Sequence, residues 1–316
     1  MRGRGEGAER ATGLAAVLVL LAGLGTAVLR QPVPAPVPVA APRVTLPTAP
    51  PPAPARTPTP KPTRAAGGNG LGPPPGPQYD PAPARTAPPA QRFALLVGVT
   101  DYQSPTVDTI AGAQDAYEIQ RMLVEAGWLP ENVRVLTDGQ VTGQALRSNL
   151  AWLAERGRPG TFSFFHYSGH VKQFGGGTEA LWPVDRDFVR DRELTRRLSA
   201  VSGRLWVDIA ACEAASFSPG LPSDRVLVTA SSKGTEKSYE QPAWGRSVWS
   251  GLLFSIGTDQ RQADADRNGR VTMGEAVRYA TYYSQLVTLK QRPYGRQTPQ
   301  SAGDPIRGWT LSDPPA

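Results

Sequence analysis

From residue 92 onward, short unbroken apolar runs alternate with stretches whose apolar positions return every three or four residues. Phe93–Val99 (FALLVGV) is such a run, as expected for a strand covered on both faces. Asp115–Ala126 has helical spacing through Ala116, Ile119, Met122, Leu123 and Ala126. Val133–Leu136 reads as a second strand. Thr142–Ala154 follows as a helix with Leu146, Leu150 and Leu153 on one face. Phe162–Tyr167, Leu205–Ala210 and Arg225–Ala230 add three more strands. Strand alternating with helix predicts an α/β fold: a mostly parallel sheet with helices on both faces, hence three layers. In such sheets reactive groups collect just past the carboxyl ends of the strands.

Upstream the pattern changes twice. Arg2, Arg4 and Arg10 precede an uncharged run from Ala11 to Leu29, which Arg30 closes. Its length is near the ~20 residues that span a bilayer. Gly25 and Ala27 also suit the −3 and −1 positions of a signal-peptide cleavage site. Residues 1–30 are therefore expected to be a transmembrane anchor or a cleaved signal, with a buried helix as the remaining reading. Residues 31–91 alternate Pro with Ala, Val and Thr and hold 21 of the 33 prolines, those from Pro32 to Pro89. Such a segment buries too little apolar surface to fold and extends as polyproline II, a disordered spacer. The expected organisation is 1–30 targeting segment, 31–91 linker and 92–313 folded domain. The long polar stalk places that domain outside the cytoplasm, membrane-anchored or secreted.

Charge follows the same boundaries. Residues 1–92 carry ten Lys/Arg and three Asp/Glu, the whole excess of seven; residues 93–316 carry 24 of each. A neutral folded part gives no electrostatic reason to expect nucleic acid as a partner.

Two strand ends carry chemistry. Phe162–Tyr167 runs into Ser168-Gly169-His170, and Leu205–Ala210 into Ala211-Cys212-Glu213. The chain has one cysteine and two histidines, so no internal disulfide forms. A lone cysteine is usually a small buried apolar residue. One placed at a carboxyl strand edge beside a histidine is instead expected to be a nucleophile, its thiolate favoured by the imidazole. His166, inside its strand, reads as packing or a satisfied polar contact.

In order along the chain, FALLVGVTDY (93–102), GAQDA (112–116), VLTD (135–138), YSGH (167–170), LWPVD (181–185), VTASS (228–232), SYE (238–240) and QTP (297–299) resemble metacaspases and bacterial caspase-like cysteine peptidases. ACEAASF (211–217) is more similar to legumain-type peptidases of the same clan. The resemblance implies a caspase-like three-layer sandwich and a cysteine endopeptidase acting on protein or peptide substrates. It implies Cys212 as nucleophile, His170 as its acid/base partner and the Gly169 N–H as an oxyanion donor. Asp115 matches an acidic position associated with the specificity pocket; on the residues alone it reads equally as an N-cap. The chain also departs from the family. Ala210 stands where metacaspases carry Asp and legumain-type enzymes Glu, so basic P1 specificity does not carry over. Val171 replaces the usual glycine after the histidine. A second reading, favoured by both departures, is an inactive caspase-like module that binds a protein partner or calcium.

Near the end, Asp264-Ala-Asp266-Arg-Asn268-Gly269-Arg270-Val-Thr-Met-Gly-Glu275 fits the calcium-loop pattern D-x-[DN]-x-[DN]-G-x5-E. Asp264, Asp266, Asn268, the Arg270 carbonyl and Glu275 would offer the oxygen ligands that Ca²⁺ prefers. The alternative is an Asp/Asn-rich turn capping a helix that begins at Glu275.

Overall fold

The computed structural model describes Pro74 and residues 85–312, apart from 104, 175–177, 218–219, 222–223, 292–294 and 304–306. The chain divides into Met1–Arg64 and Ala65–Ala316, and every described residue belongs to the second unit. The expected targeting segment, and the linker up to residue 84 apart from Pro74, lie outside the described residues. No helix among the described residues is long and apolar enough to cross a membrane.

Six strands form the central sheet: β1 (Arg92–Gly98), β2 (Val133–Thr137), β3 (Phe162–Ser168), β7 (Arg204–Ala210), β8 (Val226–Ala230) and β11 (Gln300–Ala302). Their order is β11-β8-β7-β3-β1-β2, all parallel except the antiparallel edge strand β11. β1, β3 and β8 are buried at every position, which is why they read as continuous apolar runs rather than as alternation. Three further strands, β4 (Val171–Phe174), β5 (Thr178–Leu181) and β6 (Val189–Arg190), make a small antiparallel sheet after β3. β9 (Glu240–Gln241) and β10 (Arg246–Ser247) pair as a short ribbon.

Helices cover both faces. α1 (Gly112–Glu125) and α5 (Met273–Val287) pack one side with α4 (Val248–Ser250), which continues as a π-helix over Gly251–Asp259. That core joins Leu96, Phe164, Trp206 and Leu227 of the sheet to Ile119, Leu123, Leu252 and Tyr279. On the other side α2 (Gly143–Arg156) and α3 (Asp191–Ser199) set Leu146, Leu150, Leu194 and Leu198 against Leu95, Val97, Phe165, Val207 and Ile209. Each such fully buried side chain contributes about 1.5–3 kcal/mol relative to exposure. Successive strand residues feed opposite cores, so the predicted three-layer α/β sandwich is the observed one.

The boundaries shift in two places. The body begins before residue 92: Ala87 is in the core, and Arg85 bonds Gly308 and Thr310 through its main chain. α1 begins at Gly112, with Ala111 as N-cap, so Asp115 lies inside the first turn and is not a cap.

The end of β1 and the start of α1 touch through two glycines. A Cβ on Gly98 would overlap the Gly112 carbonyl, and one on Gly112 the Val99 carbonyl. Gly98→Ala is expected to cost about 1–3 kcal/mol by overpacking, lowering Tm by about 2–4 °C per kcal/mol. A thermal unfolding curve for Gly98→Ala that overlays the parent would show that this contact is not tight.

Candidate active site

β3 and β7 pair in parallel from Phe162↔Arg204 to Ser168↔Ala210. His170 and Cys212 each lie two residues past that last rung, so both groups that the sequence singles out follow the carboxyl ends of neighbouring strands.

The histidine is held from three sides. Its main-chain N–H donates to Tyr102 Oη at 2.6 Å, and its ring centroid lies 4.6 Å from that of Tyr102 and 6.0 Å from that of Trp182. Its Nε2 is 2.7 Å from the Val107 carbonyl. A carbonyl only accepts, so Nε2 carries the hydrogen and Nδ1 of the neutral ring is the base. Tyr167 Oη donates to the His170 carbonyl at 2.6 Å. Burial raises the Tyr102 phenol well above its ordinary value and pushes that of Tyr167 up to about 12, so both stay neutral.

The cysteine sits on a tight turn pinned by the segment after β8. Ala211 N–H donates to Ser231 Oγ (3.0 Å), Glu213 N–H to the Glu236 carbonyl (2.8 Å) and Ala214 N–H to Ser232 Oγ (3.4 Å). Glu213 takes a left-handed φ of 56° to make this turn, and its carboxylate pairs with Lys237 at 2.7 Å. Cys212 Sγ accepts the Ser238 N–H at 3.4 Å and reaches the Ser238 carbonyl at 4.0 Å. Burial pushes the thiol above its ordinary value; the Ser238 N–H and Lys237 pull it back, while Glu213 and Glu240 push with the burial. The balance favours the protonated thiol, where the sequence leads one to expect an imidazole-favoured thiolate.

Two other expected roles change. The Gly169 N–H, expected to face the oxyanion, points to the Ala210 carbonyl at 3.4 Å. Gly169 has a packing reason instead, since a Cβ there would overlap Tyr102 Oη. Asp115 is only 1 % exposed: Oδ2 accepts from Ser168 Oγ (2.7 Å) and Oδ1 from Ser247 N–H (3.2 Å). It is a post beneath the strand ends rather than an open pocket wall. His166 is buried and its Nδ1 lies 2.8 Å from Asp208 Oδ2, the satisfied polar contact expected for it.

Sequence reasoning missed two main-chain groups, because any residue type supplies them. One is the Val107 carbonyl. The other is the Val171 N–H: Val171 pairs with Leu181, and the flanking bond runs from Trp182 N–H to the His170 carbonyl (3.2 Å). That makes Val171 a non-hydrogen-bonded position whose N–H points away from β5.

At the far end of the domain, carboxylate oxygens of Asp264, Asp266 and Glu275 lie within 4.8 Å of one another. Asp264 accepts the amides of Asn268 and Gly269, and Asn268 Oδ1 accepts that of Arg270. Glu275 Oε2 accepts Thr272 N–H (2.8 Å) in a capping box and Oε1 accepts Ala265 N–H (3.1 Å), so α5 starts at Met273, two residues before the expected Glu275. Burial, with Asp266 beside it, raises the Asp264 carboxyl above its ordinary value. The all-oxygen set fits a hard cation: the Asp264 and Asp266 oxygens and Glu275 Oε1 each keep a second lone pair, while Glu275 Oε2 is taken up by the Thr272 N–H and Oγ1.

Alkylation of Cys212 is expected to be slower at pH 7 than that of a free thiol and to rise with a midpoint above ~8.5. Lys237→Ala raises the midpoint further; an iodoacetamide pH–rate profile with a midpoint below 8 contradicts this. Burial also pushes Asp115 from 3.8 to about 6, against the charge of His166 and the bonds from Ser168, Ser247 and Ser250. Between those values the folded state holds a proton that the unfolded chain has released, so stability falls as pH rises from about 4 to 6. Asp115→Asn is expected to flatten that slope in urea denaturation, and an unchanged slope assigns it elsewhere.

Residues 91–291 match the caspase domain family model. Among curated proteins, Metacaspase-1 of Candida albicans is 24% identical over 68% of this chain and 51% of its own length. Metacaspase-1 of Mycosarcoma maydis is 30% identical over 30% of this chain and 27% of its own length. The chain thus spans about half or less of these relatives. A crystal structure of a Geobacter sulfurreducens protein aligns with TM-score 0.52 at 15% identity, over 70% of this chain and 98% of that one, and shares the fold. The match runs from β1 past α5 and takes in every strand of the central sheet but the edge strand β11, and it makes this chain a member of the caspase-domain family of cysteine peptidases.

Proposed function

We propose that this chain is an endopeptidase that cleaves proteins through a Cys212–His170 dyad. The observation that carries the reading is the Val107 carbonyl on His170 Nε2, which leaves Nδ1 to serve as the base for a thiol at the matching position past the neighbouring strand. In the first step Nδ1 takes the Cys212 proton as Sγ bonds the scissile carbonyl carbon. The Val171 and Cys212 N–H groups replace Gly169 as donors to the resulting oxyanion. The C–N bond then breaks, Nδ1 returns its proton to the leaving amine, and water hydrolyses the acyl-enzyme. Asp115 acts beneath the cleft, holding Ser168 and the Ser247 main chain in place. Ala210 offers no carboxylate to a basic P1 side chain.

Calcium belongs to the same reading. Asp264, Asp266, Asn268, the Arg270 carbonyl and Glu275 would hold it, and its charge would bind the loop to the start of α5. The N-terminal run flanked by arginines and the proline-rich segment support a reading in which the catalytic domain lies outside the cytoplasm, anchored or secreted. The second reading, a binding module without turnover, draws on the raised thiol and on Ala210.

The full chain should cut peptides in a mixed library. Cys212→Ala should abolish cutting with Tm unchanged, and His170→Ala should slow it by at least about 10²–10⁴-fold. Calcium should raise Tm relative to chelator, an effect that Asp264→Ala removes. A folded chain that cuts nothing, with or without millimolar Ca²⁺, leaves the binding module; a calcium-insensitive Tm leaves the loop as a helix cap.

A further inference from the structure

Beyond His170, on the side away from Cys212, lies an open pocket of about 580 Å³. Pro105, Thr106 and Val107 form one wall, and Lys172, Trp182, Arg186 and Phe188 the other, with His170 at its head. No lining residue comes from β7, from β8 or from the segment that holds the cysteine. Its surface is mainly apolar. Trp182 and Phe188 stack edge to face at 5.4 Å, and the Lys172 ammonium lies 5.5 Å from the Trp182 ring centroid.

The polar groups of this pocket share one sign. Lys172 and Arg186 are its only charged residues, and among the described residues neither forms an ion pair with a carboxylate. Arg186 instead donates to Thr106 Oγ1 at 3.2 Å. The acids nearest in sequence are engaged elsewhere: Asp185 accepts the Gly143 N–H and Asp187 pairs with Arg147. The buried Trp182 indole N–H has no hydrogen-bond partner among the described residues. Two cations over an aromatic floor ask for a side chain with an apolar stem and an anionic end.

The dyad fixes which part of a substrate arrives there. His170 hands its proton to the leaving amine, so the chain on the carboxyl side of the scissile bond passes over His170 and away from Cys212. The geometry points to a subsite that selects Glu or Asp on the leaving-group side of the cleaved bond. This deepens the endopeptidase reading and rests on it for the position of the acid, though not for the chemistry of the pocket.

Two measurements on the full chain separate the claims. Mass-spectrometric mapping of cuts in a proteome-derived peptide library should show Asp and Glu enriched several-fold at the first two positions after the cut. Lys172→Glu with Arg186→Glu should shift that enrichment to Lys and Arg; cuts with no acidic preference, or an unchanged preference in the variant, overturn the subsite. The second measurement needs no turnover. In the Cys212→Ala chain, the Trp182 indole resonance, assigned with Trp182→Phe, should move on adding Glu-Ala amide, and at least tenfold less with Lys-Ala amide at the same concentration. Equal shifts overturn the pocket's acidic preference. A selective shift without any cleavage would keep the pocket's chemistry and remove the peptidase reading.

Discussion

The active site depends on one buried polar rung. His166 of β3 and Asp208 of β7 are direct partners in the parallel ladder, both fully buried, with Nδ1 2.8 Å from Oδ2. Asp208 Oδ1 also accepts from Thr229 Oγ1 (2.6 Å), its partner on β8, and from Trp249 Nε1 (2.8 Å). Three central strands are thereby tied at one level. A slip of one residue would set Asp208 beside Phe165 or Tyr167 and strand a buried carboxyl among apolar groups, which costs several kcal/mol. The rung has a cost of its own, since His166 Nε2 finds no partner among the described residues.

That rung sets the spacing of the chemistry. His170 lies four residues beyond His166 and Cys212 four beyond Asp208, so a register that aligns the buried pair also aligns the dyad. The third strand obeys the same rule: Ser231, two residues past Thr229, receives the Ala211 N–H and bonds back to the Ala211 carbonyl. Main-chain hydrogen bonds then carry the alignment past the strand ends, where no ladder continues. The histidine inside the strand, which contributes no chemistry, is thus what makes the outer histidine's position reproducible.

The sheet, and the placing of a histidine and a cysteine past two of its strands, were legible in the sequence for a common reason. Strands buried on both faces must be apolar throughout, so β1, β3, β7 and β8 stand out as runs, and a His or Cys just past such a run is conspicuous. Elements that lack this constraint were invisible. β6, β9 and β10 are two residues each, too short to show alternation. α3 buries only Leu194 and Leu198 among charged neighbours, and the Gly251–Asp259 segment is too uniformly buried to show a period. Gln173–Gly177, which reads as an exposed loop, begins inside β4, with 175–177 outside the described residues. Within the site, what stayed hidden is main chain: the Val107 carbonyl and the Val171 N–H depend on backbone path and register, not on residue type.

The raised thiol gives those hidden groups their weight. Where a thiolate and an imidazolium stand preformed, the histidine's tautomer matters little, because both nitrogens carry protons. With a neutral thiol, only a ring whose Nδ1 is bare can accept the proton, and of the two neutral tautomers the Val107 carbonyl selects that one by taking the Nε2 hydrogen. Buried, neutral Tyr102 and Tyr167 hold the backbone at His170 from either side without adding a charge that would bias the ring. Cys212 meanwhile rests against the Ser238 main chain, accepting its N–H and facing its carbonyl. On the proposed reading a bound substrate displaces water and offers a carbonyl to attack, while the chain's own Val171 and Cys212 amides stabilise the product of that attack. Nucleophile formation and substrate engagement are then one event. On the proposed reading, the thiol that burial holds protonated gives up its proton only when a peptide lies across the strand ends.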